Sequence, residues 1–423
     1  MRVLFAHQSF PGQFRYLAPT LAAQGHEVVF MSLPTTRSLS KIQQVFYDMT
    51  PPAREPEDQY IGHLLNAMSY ARAAAATANS LKRDGFVPDV IIAHPGWGES
   101  LFLRDIFSSA KMLLFLEFFS RPENSYYDFD RTEPLDFEER VSLRMRNVTH
   151  LMALNDFDWA FSPTLWQKSL FPVEYQSRIS TIHDGINIEK FKPRDDLSLV
   201  LPSGKILKKG MEVITFVSRH LEPCRGLNTF MRAVEIVLRK RPNCEVLIYG
   251  RSEAAYGPEN RSGKTHLDLI LDEVDLDRNR LHLFGFAEQP EVIAAMSISS
   301  AHVFFTYPFL ISWSVLEALA MECILIASAT APLQEFIQHG QNGILVDFFD
   351  HTALADQLCE VLENQERYQQ LRKAARETVL VRFNASRNVA KQISILSRLH
   401  AGDSLAAEPV ISSRESASMI SSA

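Results

Sequence analysis

Short apolar runs alternate with longer stretches of helical character along the first half of the chain. Residues 3–6, 27–32, 90–93 and 111–117 read as buried strands, and residues 14–24 and the alanine-rich 60–83 as helices. Gly62 is the only weak helix former of note in that second helix. Such alternation predicts a parallel sheet covered by helices. Further on, 155–161 reads as helical, Ser162-Pro163-Thr164 as a helix start, and 179–183 as a strand.

A second strand–helix series starts at residue 213. Strands are expected at 213–217, 244–249, 281–284, 302–305, 324–327 and 344–346, with helices near 226–239, 264–273 and 290–296. Residues 188–210 hold Pro193, Pro202 and Gly204 with little periodicity and read as a linker. The fold expected is α/β, with two doubly wound, Rossmann-like domains facing across a cleft at the strand C-termini. The first would span 1–187 and the second 211–385, with a helix at 386–401 returning to the first. A tail from 402 to 423, rich in Ser and Ala and without aromatics, is expected to be disordered.

At 423 residues the chain is too long for one ordinary core, which agrees with two domains. A net charge of -7 argues against general nucleic-acid binding, which needs a basic face. Cys224, Cys244, Cys323 and Cys359 have no CxxC spacing and read as reduced thiols. The histidines show no HExxH pairing, so no metal site is expected. The first residues read as a strand rather than a leader, and no apolar run is long enough to span a bilayer. The expected location is the cytoplasm, with the inner membrane face as an open alternative.

The most informative segment runs from Thr306 to Ala320. An apolar strand enters a short loop, and a helix begins near Ser314 with Glu317 in its first turn. Unpaired N–H groups and the helix dipole there can hold a phosphate, while Glu317 can accept hydrogen bonds from ribose hydroxyls. Arg219 and Arg225 lie six apart across the turn after the first strand of the second series, just before Gly226. They can converge on one diphosphate and stabilise its departure, or form a solvated surface pair. Gly250 and Gly285 end strands. Either can admit backbone near a nucleotide, with Phe286 and Ala287 about the base, or serve as an ordinary turn.

In the first series, Gly12 follows the opening strand. It can let backbone approach a ligand or simply close a βα turn. In His94-Pro95-Gly96-Trp97-Gly98-Glu99, His94 can hydrogen-bond a substrate hydroxyl and Trp97 can stack on a sugar. A buried histidine with a structural partner is the alternative.

Taken together, these residues resemble the family 4 glycosyltransferases, retaining enzymes of GT-B architecture. The resemblance spans roughly residues 1–395. It is sharpest where Arg219, Arg225-Gly226, Gly250, Gly285, Val315-Leu316-Glu317-Ala318 and Asn342-Gly343 fall in family order. The stretches from His7 to Phe14 and Ser162 to Gln167 resemble a bacterial subgroup. The resemblance implies that Arg219 and Arg225 contact the donor diphosphate, with Arg225 where a lysine is usual. Glu317 matches the second glutamate of the family's Glu-x7-Glu signature, the ribose ligand. The first glutamate would fall at Phe309 and is absent. Backbone N–H groups of Ile311, Ser312, Trp313 and Ser314 remain to hold sugar hydroxyls and phosphate. His94 matches the family's histidine near the donor sugar.

The function expected is hexosyl transfer from a nucleotide-diphosphate sugar to a glycan, lipid-linked or small-molecule acceptor, in bacterial surface polysaccharide or glycoconjugate synthesis. No cofactor and no metal is expected, since the arginines carry the charge. A sugar-nucleotide 2-epimerase of the same fold and a non-catalytic sugar-nucleotide-binding partner are the rivals.

Overall fold

A computed structural model describes residues 1–49, 60–131, 133–253 and 263–410 of the chain. They divide into two compact units. The first holds residues 1–185 and the described stretch from residue 385 on, and the second holds residues 186–384.

The first unit is built on seven parallel strands: β1 (Arg2–Ala6), β2 (Glu27–Ser32), β3 (Gln43–Phe46), β4 (Val90–Ala93), β5 (Lys111–Phe115), β6 (Trp159–Ser162) and β7 (Ile179–Thr181), in the order β3-β2-β1-β4-β5-β6-β7. Successive residues of β1 enter opposite cores, as the two-residue period of a strand demands. Leu4 and Ala6 pack with Ala74 and Ala78 of the helix Gly62–Arg83. Val3 and Phe5 pack with Leu17 and Leu21 of the helix Leu17–Ala23, and with Val389, Leu396 and Leu399 of the helix Ala385–Ala401. Cover on both faces explains why β1 and β4 are almost wholly apolar. In the helix Gly62–Arg83, Ala67, Ala71, Ala74 and Ala78 form the buried stripe, spaced three and four apart. These small side chains allow close approach to the sheet.

Two stretches differ from expectation. Residues 155–161 are not a helix: the helix Val148–Asn155 ends there and β6 follows. The run Trp159-Ala160-Phe161 suits a slot between β5 and β7, and Asp158 fixes its start by accepting from the Met112 N–H at 2.8 Å. Residues 188–210 are not a bare linker. They carry an antiparallel pair, β8 (Ser198–Val200) and β9 (Ile206–Lys208), whose Leu199 and Leu207 pack with Val213, Leu247 and Ala295 of the second unit.

The second unit's main sheet has six parallel strands: β10 (Val213–His220), β11 (Glu245–Arg251), β12 (Leu281–Gly285), β13 (Ala301–Phe304), β14 (Leu325–Ser328) and β15 (Ile344–Val346), in the order β12-β11-β10-β13-β14-β15. Strand order reverses between β10 and β13, and in the first unit between β1 and β4. In open α/β sheets, ligands bind beyond the strand C-termini at such reversals.

The tail was expected to lack order from residue 402. Its described part instead lies against β7 and the turn before it: the Glu408 N–H donates to the Ser177 carbonyl at 2.9 Å. Residues 411–423 lie outside the described residues. Among the described residues, no helix is long and apolar enough to cross a membrane.

Candidate active site

In the second unit, β10 runs to His220, so Arg219 sits on the strand itself, past an irregularity of register between Val217 and His220. Arg219 is exposed. After β10 the chain makes a single 3-10 turn, Pro223–Arg225, and enters the helix Leu227–Lys240 through Gly226. Gly226 has φ +75°, and a Cβ there would meet the Phe305 Cβ at 2.3 Å. Only glycine lets this turn press against the end of β13.

That approach buries Arg225. Its Nη1 donates to the Thr306 Oγ1 at 2.8 Å, and its guanidinium lies over the Phe309 ring, 5.5 Å from the centroid. The Tyr307 N–H donates to the Cys224 carbonyl at 2.9 Å, tying the same two segments by main chain. Thr306 is itself fixed, since its N–H donates to the Ser328 Oγ at 3.0 Å. The result is a rigid cation held at the strand-order reversal, with an aromatic ring on one face. Phe309 thus stands beside Arg225 where the resembled family would have a carboxylate.

The loop then reaches the helix Trp313–Ala320. Ser312 caps it, with its Oγ accepting from the Ser314 N–H at 3.3 Å. Ile311 is buried in the core, and Trp313 packs against that core. The helix starts at Trp313, so Glu317 lies in its second turn, not its first, and is half-buried. A carboxylate there is far enough from the helix mouth to leave the dipole's positive end intact.

Gly250 has φ +155°, and a Cβ would strike the Ser218 carbonyl oxygen at 2.8 Å. Its absent side chain therefore serves the packing of β11 against the end of β10. At Gly285 nothing lies within 4 Å of a built Cβ, and only its φ of +64° favours glycine. Phe286 follows it, 65% exposed, under the Arg251 guanidinium at 4.9 Å.

In the first unit, β1 and β4 each deliver a histidine to the reversal. His7 and His94 are 4% and 5% exposed, with ring centroids 5.5 Å apart. Each ring is held by the main chain two residues on: Nδ1 of His7 accepts from the Ser9 N–H at 2.8 Å, and Nδ1 of His94 from the Gly96 N–H at 3.1 Å. Both rings therefore carry their proton on Nε2. Gly12 and Gly96 make room for these rings, because a Cβ on either would come within 2.9 Å of a histidine Cε1. Gly12 thus packs against His7.

The Nε2–H of His94 points to the Glu117 carboxylate at 3.2 Å. Burial pushes the Glu117 carboxyl up, but the hydrogen bonds from His94 and Gln13 outweigh it and hold the group below its usual range. His94 therefore has a structural partner on each nitrogen. The His7 ring faces the Gln13 side chain, and neither the His7 Nε2 nor the Gln13 Oε1 has a hydrogen bond of ordinary geometry. Burial, and then the nearby His94, lower the His7 pKa to about 4, so the ring is neutral at neutral pH. Trp97 is 44% exposed and lies roughly parallel to the His94 ring at 6.2 Å.

Two family models match the chain, one to each series of elements. The model described as glycosyl transferase family 4 group matches residues 24–191, and that described as glycosyl transferases group 1 matches residues 203–378. The two matches fall one on each α/β series. Among curated relatives, N-acetyl-alpha-D-glucosaminyl L-malate synthase of Bacillus anthracis is 32% identical over 19% of this chain and 21% of its own length. D-inositol 3-phosphate glycosyltransferase of Thermobispora bispora is 24% identical over 45% of this chain and 44% of its own. The chain thus spans about a fifth of one relative and under half of the other. Sucrose-phosphate synthase from Thermosynechococcus elongatus has a similar fold, with TM-score 0.71 and 18% identity over 95% of this chain and all of that one. Anabaena Alr3699/HepE, solved in complex with UDP-glucose, gives TM-score 0.67 and 16% identity over 94% of this chain and 99% of that one.

The structure gathers Arg225, Thr306 and Phe309 into one contact set, and His7, Gln13, His94 and Glu117 into another. It leaves Arg219 exposed on its strand. Thr306, Gln13 and Glu117 were not singled out from sequence. His7 had a signal that could have been used: His7-x-Ser9, His94-x-Gly96 and His183-x-Gly185 repeat one pattern after strands, and in each the amide two residues on donates to Nδ1.

Proposed function

We propose that the protein transfers a sugar from a nucleotide-diphosphate sugar to an acceptor hydroxyl, with retention of configuration, as family 4 enzymes do. The observation that carries this reading is the buried Arg225 guanidinium, fixed by Thr306 and Phe309 at the reversal of the second sheet. A fixed cation in a desolvated place is what a departing diphosphate requires. The UDP-glucose complex of Alr3699/HepE supports a donor of that class.

In this reading the bond between the anomeric carbon and the diphosphate oxygen breaks while the acceptor oxygen bonds to the same face of that carbon. The acceptor's proton passes to the leaving phosphate. Arg225, joined by Arg219 and the amides of Ile311, Ser312 and Trp313, meets the growing charge. Glu317 accepts from the ribose hydroxyls, Gly250 lets backbone come near the nucleotide, and Phe286 lies against the base. The acceptor is a glycan, a lipid-linked intermediate or a small molecule, and the setting is bacterial surface polysaccharide or glycoconjugate synthesis in the cytoplasm or at the inner membrane face. The positive charge the diphosphate needs comes from arginine, without a resident metal.

A donor screen that follows release of nucleoside diphosphate tests this reading. Arg225→Ala should lower kcat/KM about 100-fold or more. If turnover stays within a few-fold of wild type, the phosphate role is wrong. Phe309 favours a second reading, a sugar-nucleotide-binding protein without turnover. Calorimetric binding of UDP or GDP with no diphosphate release across a broad acceptor set would support it.

A further inference from the structure

A pocket of about 470 Å³ lies in the first unit at the outer edge of its sheet, beside β7. It is lined by Lys168 from the helix Leu165–Leu170, Ser180 and Thr181 from β7, Lys391 and Ser394 from the helix Ala385–Ala401, and Glu408 from the tail. Leu165, Ile182, Ile395 and Pro409 supply apolar wall.

Lys168 is the unusual member. The residue is 1% exposed, yet its ammonium makes no hydrogen bond or ion pair with the described residues. Its stem is packed away while the ammonium opens on the pocket, where an entering anion can reach it. Burial lowers its pKa, and only the Glu408 carboxylate counters that. Lys391, exposed on its helix, adds a second cation at the rim.

The tail already answers part of this charge. The Glu408 carboxylate accepts from the Ser180 Oγ at 2.7 Å, and Ser180 in turn accepts from the Trp159 indole N–H at 2.9 Å. The Glu408 N–H is held by the Ser177 carbonyl. One carboxylate thus shares the pocket lining with two ammonium groups and three hydroxyls. No guanidinium lines the pocket. A planar carboxylate is best met by the arginine fork, whereas ammonium and hydroxyl donors arriving from several directions suit a tetrahedral oxyanion.

We propose that this pocket binds a small phosphate monoester, with the tail carboxylate of Glu408 as its built-in competitor. The phosphate bridges Lys168 and Lys391, the ester's carbon body rests on the apolar wall, and binding loosens the tail around Glu408.

The test is titration calorimetry of the full chain with glycerol 3-phosphate and with inorganic phosphate. Wild type should bind the ester more tightly than the free ion. Lys168→Met should weaken the ester about tenfold or more without lowering the Tm. Glu408→Gln should tighten it by up to about tenfold, since one competing charge is gone. Amide exchange at Glu408 should speed up when the ester is added to wild type. Should Lys168→Met not fold, Lys391→Ala gives the same comparison from an exposed helix face. Heat that survives in both lysine variants belongs elsewhere on the protein. The proposal is overturned if the ester binds the lysine variants as tightly as wild type, or if neither wild type nor Glu408→Gln binds it. Equal affinity for the ester and inorganic phosphate overturns the monoester assignment.

Discussion

The pairing of Arg225 with Phe309 makes a measurable claim. The guanidinium lies 5.5 Å from the ring centroid, inside the range of a cation–π contact, and Arg225 is 8% exposed. Such contacts contribute about 0.5–1 kcal/mol at exposed sites and about 2 when desolvated. Burial puts this pair near the upper end, at about 1–2 kcal/mol. A double-mutant cycle isolates that quantity: wild type, Arg225→Lys, Phe309→Leu and the double variant, each unfolded in urea. Lysine keeps the charge but cannot both reach Thr306 and lie flat on the ring. Arg225→Lys should cost most of its stability only while Phe309 is present, leaving a coupling of about 1–2 kcal/mol. The same cycle read through UDP affinity should give the same sign if, as proposed, the ring pre-orders the cation that meets the diphosphate. A coupling below about 0.3 kcal/mol, within ordinary additivity, would refute the claim that Phe309 positions Arg225.

Gly226→Ala combines a left-handed φ with a Cβ 2.3 Å from that of Phe305. It should destabilise the second unit by about 2–4 kcal/mol in urea unfolding. His7 titrates at about 4 when folded and near 6.5 when unfolded, so the unfolded chain binds the extra proton between those values. Stability should be full above pH 6.5 and fall by about 3 kcal/mol as pH drops toward 4. His7→Asn, whose Oδ1 can still accept from the Ser9 N–H, should flatten part of that fall in urea midpoints measured at pH 7 and pH 5. Glu117→Gln keeps shape but weakens the tie to His94, so kcat for diphosphate release should drop several-fold with KM nearly unchanged.

Much of the fold was legible because a parallel strand covered on both faces is an unbroken apolar run, as at Glu27–Ser32, Val90–Ala93 and Ile344–Val346. The misreadings share a cause. Trp159–Ser162 gains its strand state from neighbours distant in sequence, and the hairpin Ser198–Lys208 hides a two-residue period among Pro202 and Gly204. For the helix Phe137–Arg146 the missed signal was local: Asp136 and Glu139 form a capping box. At the site, the second series was readable as a turn carrying Arg225 before Gly226. That Phe309 would cover Arg225, or that Gly12 would make room for a histidine rather than a ligand, depends on side-chain directions that spacing does not encode.

The three His-x-small turns have a consequence for how this unit can drift in evolution. At His7 and His94 the main chain dictates which nitrogen bears hydrogen, so the polarity of that pair does not depend on neighbouring side chains. Residues around the imidazoles can then be exchanged without scrambling which atoms give and which receive. The pair is a fixed frame around which its surroundings are free to vary.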